Sequence, residues 1–129
     1  MSVARQLCRG LSTFKVLRIP SAPMDLETVQ DHQRKGSAVL IDVRSQGELN
    51  NHGVVNGALH VPVDYVDEAF SMNDEQFKAI IGNQKPESDK TVIFFCVKGI
   101  RAKNAADLAA DKFKFKNSFF YTGPFVDLQ

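Results

Sequence analysis

Cysteine is scarce in this chain of 129 residues, which holds only Cys8 and Cys96. Two thiols so far apart do not make a disulfide framework, and a reducing compartment is their natural setting. Metal-site spacing is also missing. His32, His52 and His60 have no cysteine or carboxylate partners at ligand spacing, whereas a structural zinc ion needs four ligands. These histidines read as solvated loop residues, and no metal is expected. No apolar run approaches the length that spans a bilayer, so no membrane partner is expected. Charge of one sign is not in excess either. Sixteen Lys and Arg against fifteen Asp and Glu leave a net charge of +1, which gives no electrostatic reason to expect nucleic acid. Internal repeats and low-complexity segments are absent. What is present is ordinary for a globular domain: 43% apolar and 24% charged residues. The length suffices for one core and is too short for two.

The first 24 residues differ from the rest. They carry Arg5, Arg9, Lys15 and Arg18, and no acidic residue occurs before Asp25. On a helical wheel Val3, Leu7, Leu11 and Phe14 fall on one side, with Arg5 and Arg9 opposite. An amphipathic, Arg-bearing, acid-free start has the form of a mitochondrial presequence. Residues 1–24 are therefore expected to be a targeting leader and 25–129 the folded domain. The alternative is a disordered basic tail on a cytoplasmic protein.

From Asp25 onward, helical and extended patterns alternate. Asp25 can cap a helix over about 26–35 that Gly36 ends. Ala38-Val39-Leu40-Ile41 is a continuous apolar run of the kind found in buried parallel strands. A polar, glycine-bearing stretch follows through Gly57. Ala58-Leu59-His60-Val61 forms a second strand closed by Pro62. Asp64 caps a helical turn through Phe70, and Asp74 caps a helix whose face is Phe77, Ile80 and Ile81, with Gly82 as its stop. Thr91-Val92-Ile93-Phe94-Phe95 is the clearest strand, and an Ala-rich helix follows over about 102–111. Phe119-Phe120-Tyr121 is the last strand. This alternation predicts an α/β fold with a central, mainly parallel sheet flanked by helices. Its ligand crevice should lie outside the carboxyl ends of the strands, where Cys96 falls.

The segment Cys96-Val97-Lys98-Gly99-Ile100-Arg101 carries the chemistry. A sulfur leaving a buried strand and facing a helix N-terminus meets unpaired N–H groups and the positive end of the helix dipole, both of which favour a thiolate. Gly99 permits the tight turn that brings several N–H groups onto one sulfur. Lys98 and Arg101 add positive charge that would attract an anionic substrate. Together these are the marks of an activated nucleophile. The bland alternative is a buried cysteine acting as a small apolar residue. A structural cysteine, however, does not call for a glycine and two cations in the next five residues.

Two motifs now point to a family. Leu40-Ile41-Asp42-Val43-Arg44, Glu48-Leu49, Gly53-Val54-Val55-Asn56-Gly57-Ala58 and Val61-Pro62 resemble the N-terminal signature of rhodanese-like domains. Phe94 to Ala102 resembles their active-site loop, Cys-x-x-Gly-x-Arg, and Tyr121-x-Gly123 their late turn. The likeness covers roughly 25–127, with both motifs in the family's order, and is greatest to the single-domain thiosulfate sulfurtransferases. It implies a five-stranded rhodanese-like sheet and no cofactor. It also implies a small-molecule sulfur donor such as thiosulfate and an acceptor that is cyanide or a thiol, including a protein thiol. Sulfur would ride on Cys96 as a persulfide cradled by the backbone of Val97, Lys98, Gly99, Ile100 and Arg101. Arg101 would brace the loop or face the anion. Asp42 and Arg44 would support the strand end through an ion pair or loop hydrogen bonds. Lys98 would favour a doubly charged donor, or else is a solvated surface lysine.

Departures from the family pattern include Asn56 in place of a usual proline. Where relatives show an aromatic, Trp-bearing C-terminal helix after the late turn, this sequence has Gly123-Pro124-Phe125, runs to Gln129 and holds no tryptophan, so the final helix is expected to be short or absent. Two other activities compete. Cysteine phosphatases of related fold need five residues between Cys and Arg, and here only four intervene. A non-catalytic binding module would normally have lost the cysteine.

Overall fold

The computed structural model describes residues 21–129, and the N-terminal segment apart from Ser21 to Met24 lies outside them. Five strands, β1 (Ala22–Met24), β2 (Val39–Asp42), β3 (Leu59–His60), β4 (Thr91–Phe95) and β5 (Asn117–Tyr121), form one sheet of order β1-β5-β4-β2-β3. Every pairing in it is parallel. The expected α/β class and five-stranded parallel sheet are therefore present. Five helices connect the strands: α1 (Leu26–Lys35), α2 (Gln46–His52), α3 (Val66–Phe70), α4 (Asp74–Ile81) and α5 (Ile100–Asp111). Short 3-10 turns span Val63–Tyr65 and Phe125–Leu128.

Both faces of the sheet are buried, which explains why its strands read as apolar runs. Alternate residues serve opposite faces. Ile41, Val92 and Phe94 join α3, α4 and α5 in one core, with Phe70, Phe77 and Phe115 filling it. Leu40, Ile93 and Phe95 point the other way, to Val29 of α1 and to Phe125 and Leu128 of the C-terminal turn. The helix α5 turns Ala102, Ala105, Ala106 and Ala109 inward, all essentially fully buried, and these small side chains let it lie close to the sheet.

Local signals explain most boundaries. The Asp25 side chain accepts a hydrogen bond from the Thr28 N–H, and Gly36 closes α1 in the left-handed conformation. The cap of α4 is Asn73 and not Asp74, because Gln76 reaches back to the Asn73 N–H and completes a capping box. Ile80 of α4 is exposed, since its helix buries Phe77 alone. No side chain caps the segment after Pro62, where a 3-10 turn precedes α3 and Asp64 makes no cap. Two elements are additional to those read from sequence. One is α2, within the polar, glycine-bearing stretch that precedes the second strand. The other is β1, which places Ala22–Met24 in the sheet beside β5.

The connection β2 to β3 runs outward on one side, whereas β4 to β5 runs toward the other edge. The change of direction lies between β2 and β4, and the crevice outside their carboxyl ends is where ligands bind in such sheets.

Candidate active site

Cys96 follows directly on β4 at that crevice, 1% exposed. Gly99 turns the chain with φ 90 and ψ −17 and is the N-cap of α5. The Gly99 N–H donates to Cys96 Sγ at 3.0 Å. A thiolate at this position sits against the first turn of a twelve-residue helix, where unpaired N–H groups and the dipole favour negative charge. A side chain at residue 99 is excluded twice over. The backbone angle disfavours one, and a Cβ would lie 3.0 Å from Thr122 Cγ2 and 3.1 Å from Thr122 Cα.

Arg101, in the first turn of α5, is engaged by α2. Its Nη1 donates to Glu48 Oε1 at 2.6 Å and its Nη2 to Glu48 Oε2 at 2.9 Å, a two-pronged pair. The Arg101 guanidinium, with help from the Ser45 N–H, holds the Glu48 carboxyl down at about 2. Glu48 in turn pushes the Arg101 guanidinium above its ordinary value. The sequence reading of Arg101 as loop brace or anion partner left the brace unidentified. Glu48 is that partner, and it appears in the motif without having been assigned to the site. Its signal is Ser45-x-x-Glu48, a capping box in which the Ser45 and Glu48 side chains bond each other's backbone N–H.

A cleft of about 400 Å³ opens here, lined by Glu48, Cys96, Val97, Lys98, Ile100 and Arg101. Five of the six expected loop residues thus meet in one place, with Gly99 buried behind them. Lys98 is exposed and forms no ion pair with the described residues. A larger depression, about 440 Å³, lies near the amino ends of β2 and β4, lined by residues that include Ser37, Lys85 and Lys90. It is at the wrong end of the sheet for Cys96.

Asp42 and Arg44 are not in the cleft. Arg44 is fully buried and its Nη2 meets Asp42 Oδ2 at 2.7 Å. The same carboxylate accepts from the Arg44 backbone N–H at 3.0 Å. Arg44 also donates to the Gly53 carbonyl at the end of α2, and its guanidinium lies 3.9 Å from the Phe125 ring centroid. The C-terminal turn is therefore clamped on a cation–π contact. After Pro124 the described chain has only the 3-10 turn Phe125–Leu128, in keeping with the expectation of a short or missing terminal helix. Among the described residues no His, Cys, Asp and Glu group is arranged to hold a metal ion.

The family model described as Rhodanese-like domain matches residues 25–129. The chain is 37% identical over 89 residues to the human thiosulfate:glutathione sulfurtransferase, covering 68% of this chain and 70% of that protein. It is 30% identical over 89 residues to the Saccharomyces cerevisiae thiosulfate sulfurtransferase RDL2, mitochondrial. That match covers 69% of this chain but only 58% of the yeast protein's own length. Among solved structures, the human single-domain sulfurtransferase TSTD1 superposes with a TM-score of 0.75 at 29% identity, covering 85% of this chain and 95% of that one.

Proposed function

The chain belongs to the rhodanese-like domain family, and from that premise we propose that it is a sulfurtransferase that carries sulfur as a persulfide on Cys96. The donor is thiosulfate or a compound of similar chemistry. The Cys96 thiolate attacks the donor's outer sulfur. The S–S bond breaks, sulfite leaves with the bonding pair, and the enzyme keeps one sulfur as Cys–S–S⁻. An acceptor thiolate or cyanide then attacks that terminal sulfur and Cys96 leaves as the thiolate. The human relative's name includes glutathione, which makes a low-molecular thiol the acceptor class of first choice here.

The single observation that carries the reading is the Gly99 N–H directed at Cys96 Sγ from the first turn of α5. Negative charge stays on sulfur throughout the cycle, on the thiolate and then on the persulfide. A preorganised donor at that point stabilises it without rearrangement. Lys98 supplies the free cation that attracts an anionic donor. Four residues between Cys96 and Arg101 make a cradle that suits one sulfur better than a tetrahedral oxyanion. The location proposed is mitochondrial, on the Arg-bearing N-terminus and the printed name of the yeast relative. The leader itself lies outside the described residues.

Mass spectrometry of the protein after thiosulfate treatment tests the proposal. A gain of one sulfur, removed by cyanide, is expected. Cys96→Ser should abolish both the gain and thiosulfate:cyanide activity while the circular dichroism spectrum is kept. Substantial activity in that variant would mean that Cys96 is not the carrier.

A further inference from the structure

The Tyr121-x-Gly123 turn has no part in the chemistry described so far, yet it borders the sulfur. Phe95 pairs with Tyr121 across β4 and β5, so the next residue on one chain is Cys96 and on the other Thr122. The turn is stiff. Tyr121 is held in the sheet between Phe95 and Met24 of β1, and its phenol hydroxyl donates to the Pro124 carbonyl at 3.3 Å. A Cβ on Gly123 would collide with that same phenol, so the chain folds tightly over the Tyr121 ring. Thr122 stands at the head of this turn, exposed, and its side chain makes no hydrogen bond with the described residues. What it touches is Gly99. A Cβ on Gly99 would lie 3.0 Å from Thr122 Cγ2 and 3.1 Å from both Thr122 Cα and Cβ. The threonine thus fills the space where a side chain of residue 99 would stand.

Little else fixes Gly99. No side chain caps α5. The Gly99 carbonyl accepts from the Lys103 N–H at 2.9 Å, and its own N–H goes to Cys96 Sγ. A glycine visits both signs of φ at similar cost, so the peptide that carries this N–H is free to swing unless a wall stands beside it.

We infer that Thr122 is a positioning residue for sulfur transfer: carried by the stiff 121–124 turn, its methyl group and backbone close the open side of Gly99 and keep the Gly99 N–H aimed at Cys96 Sγ. The inference rests on the sulfur-transfer reading and extends the same site to a residue outside the cleft. Thr122 is not among the residues that line the cleft, and it acts through Gly99. The work falls on the methyl group and not on the hydroxyl, since Cγ2 is the atom nearest the vacant Cβ position. The effect therefore belongs to the rate of sulfur loading and not to donor binding. A misplacement of about 1 Å can slow a reaction on the order of 100-fold. The slack left by one missing methyl group is smaller, and the loss should be roughly threefold to tenfold.

The test is single-turnover sulfur loading from thiosulfate in the full chain and its variants Thr122→Gly, Thr122→Ser and Thr122→Val, read beside the Gly99 amide signal in a proton–nitrogen NMR correlation spectrum. Thr122→Gly removes the wall and should load roughly threefold to tenfold more slowly. Thr122→Ser keeps the hydroxyl without the methyl and should fall between that variant and the wild type. Thr122→Val keeps the methyl without the hydroxyl and should restore loading to within about twofold of the wild type. The thiosulfate concentration for half-maximal rate should stay within about twofold throughout, and the melting temperature within a few degrees, because the side chain is exposed. The Gly99 amide signal should move in Thr122→Gly and Thr122→Ser and keep its place in Thr122→Val. A serine variant at the wild-type rate beside a slow valine variant would overturn the inference, since the hydroxyl would then be the active part. So would an unmoved Gly99 signal in Thr122→Gly, or losses of rate that merely follow losses of melting temperature. If the wild type itself takes up no sulfur on Cys96, the sulfur-transfer reading fails, and the amide signal still decides whether Thr122 holds Gly99.

Discussion

At Gly99 two requirements fall on one residue, and they separate experimentally. Gly99 and Gly57 have nearly the same backbone angle, φ 90 and φ 86. A Cβ at Gly57 meets nothing within 4 Å, whereas one at Gly99 runs into Thr122. Gly57→Ala should therefore cost only the left-handed penalty, about 1–2 kcal/mol. Gly99→Ala should cost more, because backbone atoms of Thr122 cannot swing aside. It should also shift the N–H that meets Cys96 Sγ and slow persulfide formation on the order of tenfold or more. Thermal melts of both variants, set against single-turnover sulfur loading, check this. Equal loading rates in the two would mean that the Gly99 N–H contributes nothing to the chemistry. Arg44 illustrates a different residue-scale rule. A fully buried guanidinium is held here by Asp42, the Gly53 carbonyl and the Phe125 ring, and only its Nη1 lacks a hydrogen-bond partner among the described residues.

Among the elements, α2 matters most to the site and was the least legible. Its seven residues, Gln46–His52, bury only Leu49, so no apolar period marks them, and Gly47 reads as a loop residue. The helix is held by its capping box instead. The loop from Cys96 to Arg101 was legible because its chemistry is contiguous in sequence. Glu48 was not, because it meets Arg101 across 53 positions. In β1 the obstacle is Pro23, which removes a ladder donor and makes a three-residue strand look like linker. It is tolerated because β1 lies at the sheet edge. The continuous apolar runs of β2 and β4, by contrast, announce strands buried on both faces.

The tie between α2 and α5 should respond to acid. Arg101 holds Glu48 below its ordinary 4.5, at about 2. A carboxyl so depressed gives stability that is complete above its unfolded value and fades as pH falls from about 4.5 toward 2. Because solvent reaches both partners, the amount is about 1 kcal/mol or less. Thermal melts of wild type and Glu48→Gln should therefore differ most at pH 6, differ less at pH 3 and converge only near pH 2. Asp25 and Asp31, whose carboxyls are also lowered, titrate alike in both proteins and cancel in the comparison. A gap that stays constant across these pH values would show that the charge of Glu48 adds no stability.

For the molecule as a whole, the question is where the folded unit begins, and β1 makes the answer measurable. Ala22, Pro23 and Met24 pair with Phe119, Phe120 and Tyr121 of β5, and Met24 packs against the core that holds Val29 and Phe125. Ser21 Oγ donates to Asp107 on α5 just ahead of the strand. Two truncations thus ought to behave differently. Removal of residues 1–20 keeps β1 and should leave the melting temperature and sulfur loading unchanged. Removal of residues 1–24 strips the edge strand and bares the backbone of β5, an unpaired edge that invites association between chains. That variant should melt several degrees lower and show a greater tendency to aggregate. In cells, a fluorescent fusion lacking residues 1–20 should move from mitochondria to the cytosol if this segment is the leader that its arginines and missing acids suggest. The two readouts are independent. A fusion that stays where it was would leave the segment a basic tail. A fall in melting temperature as large for the short truncation as for the long one would place the start of the fold before residue 21, and β1 would no longer mark it.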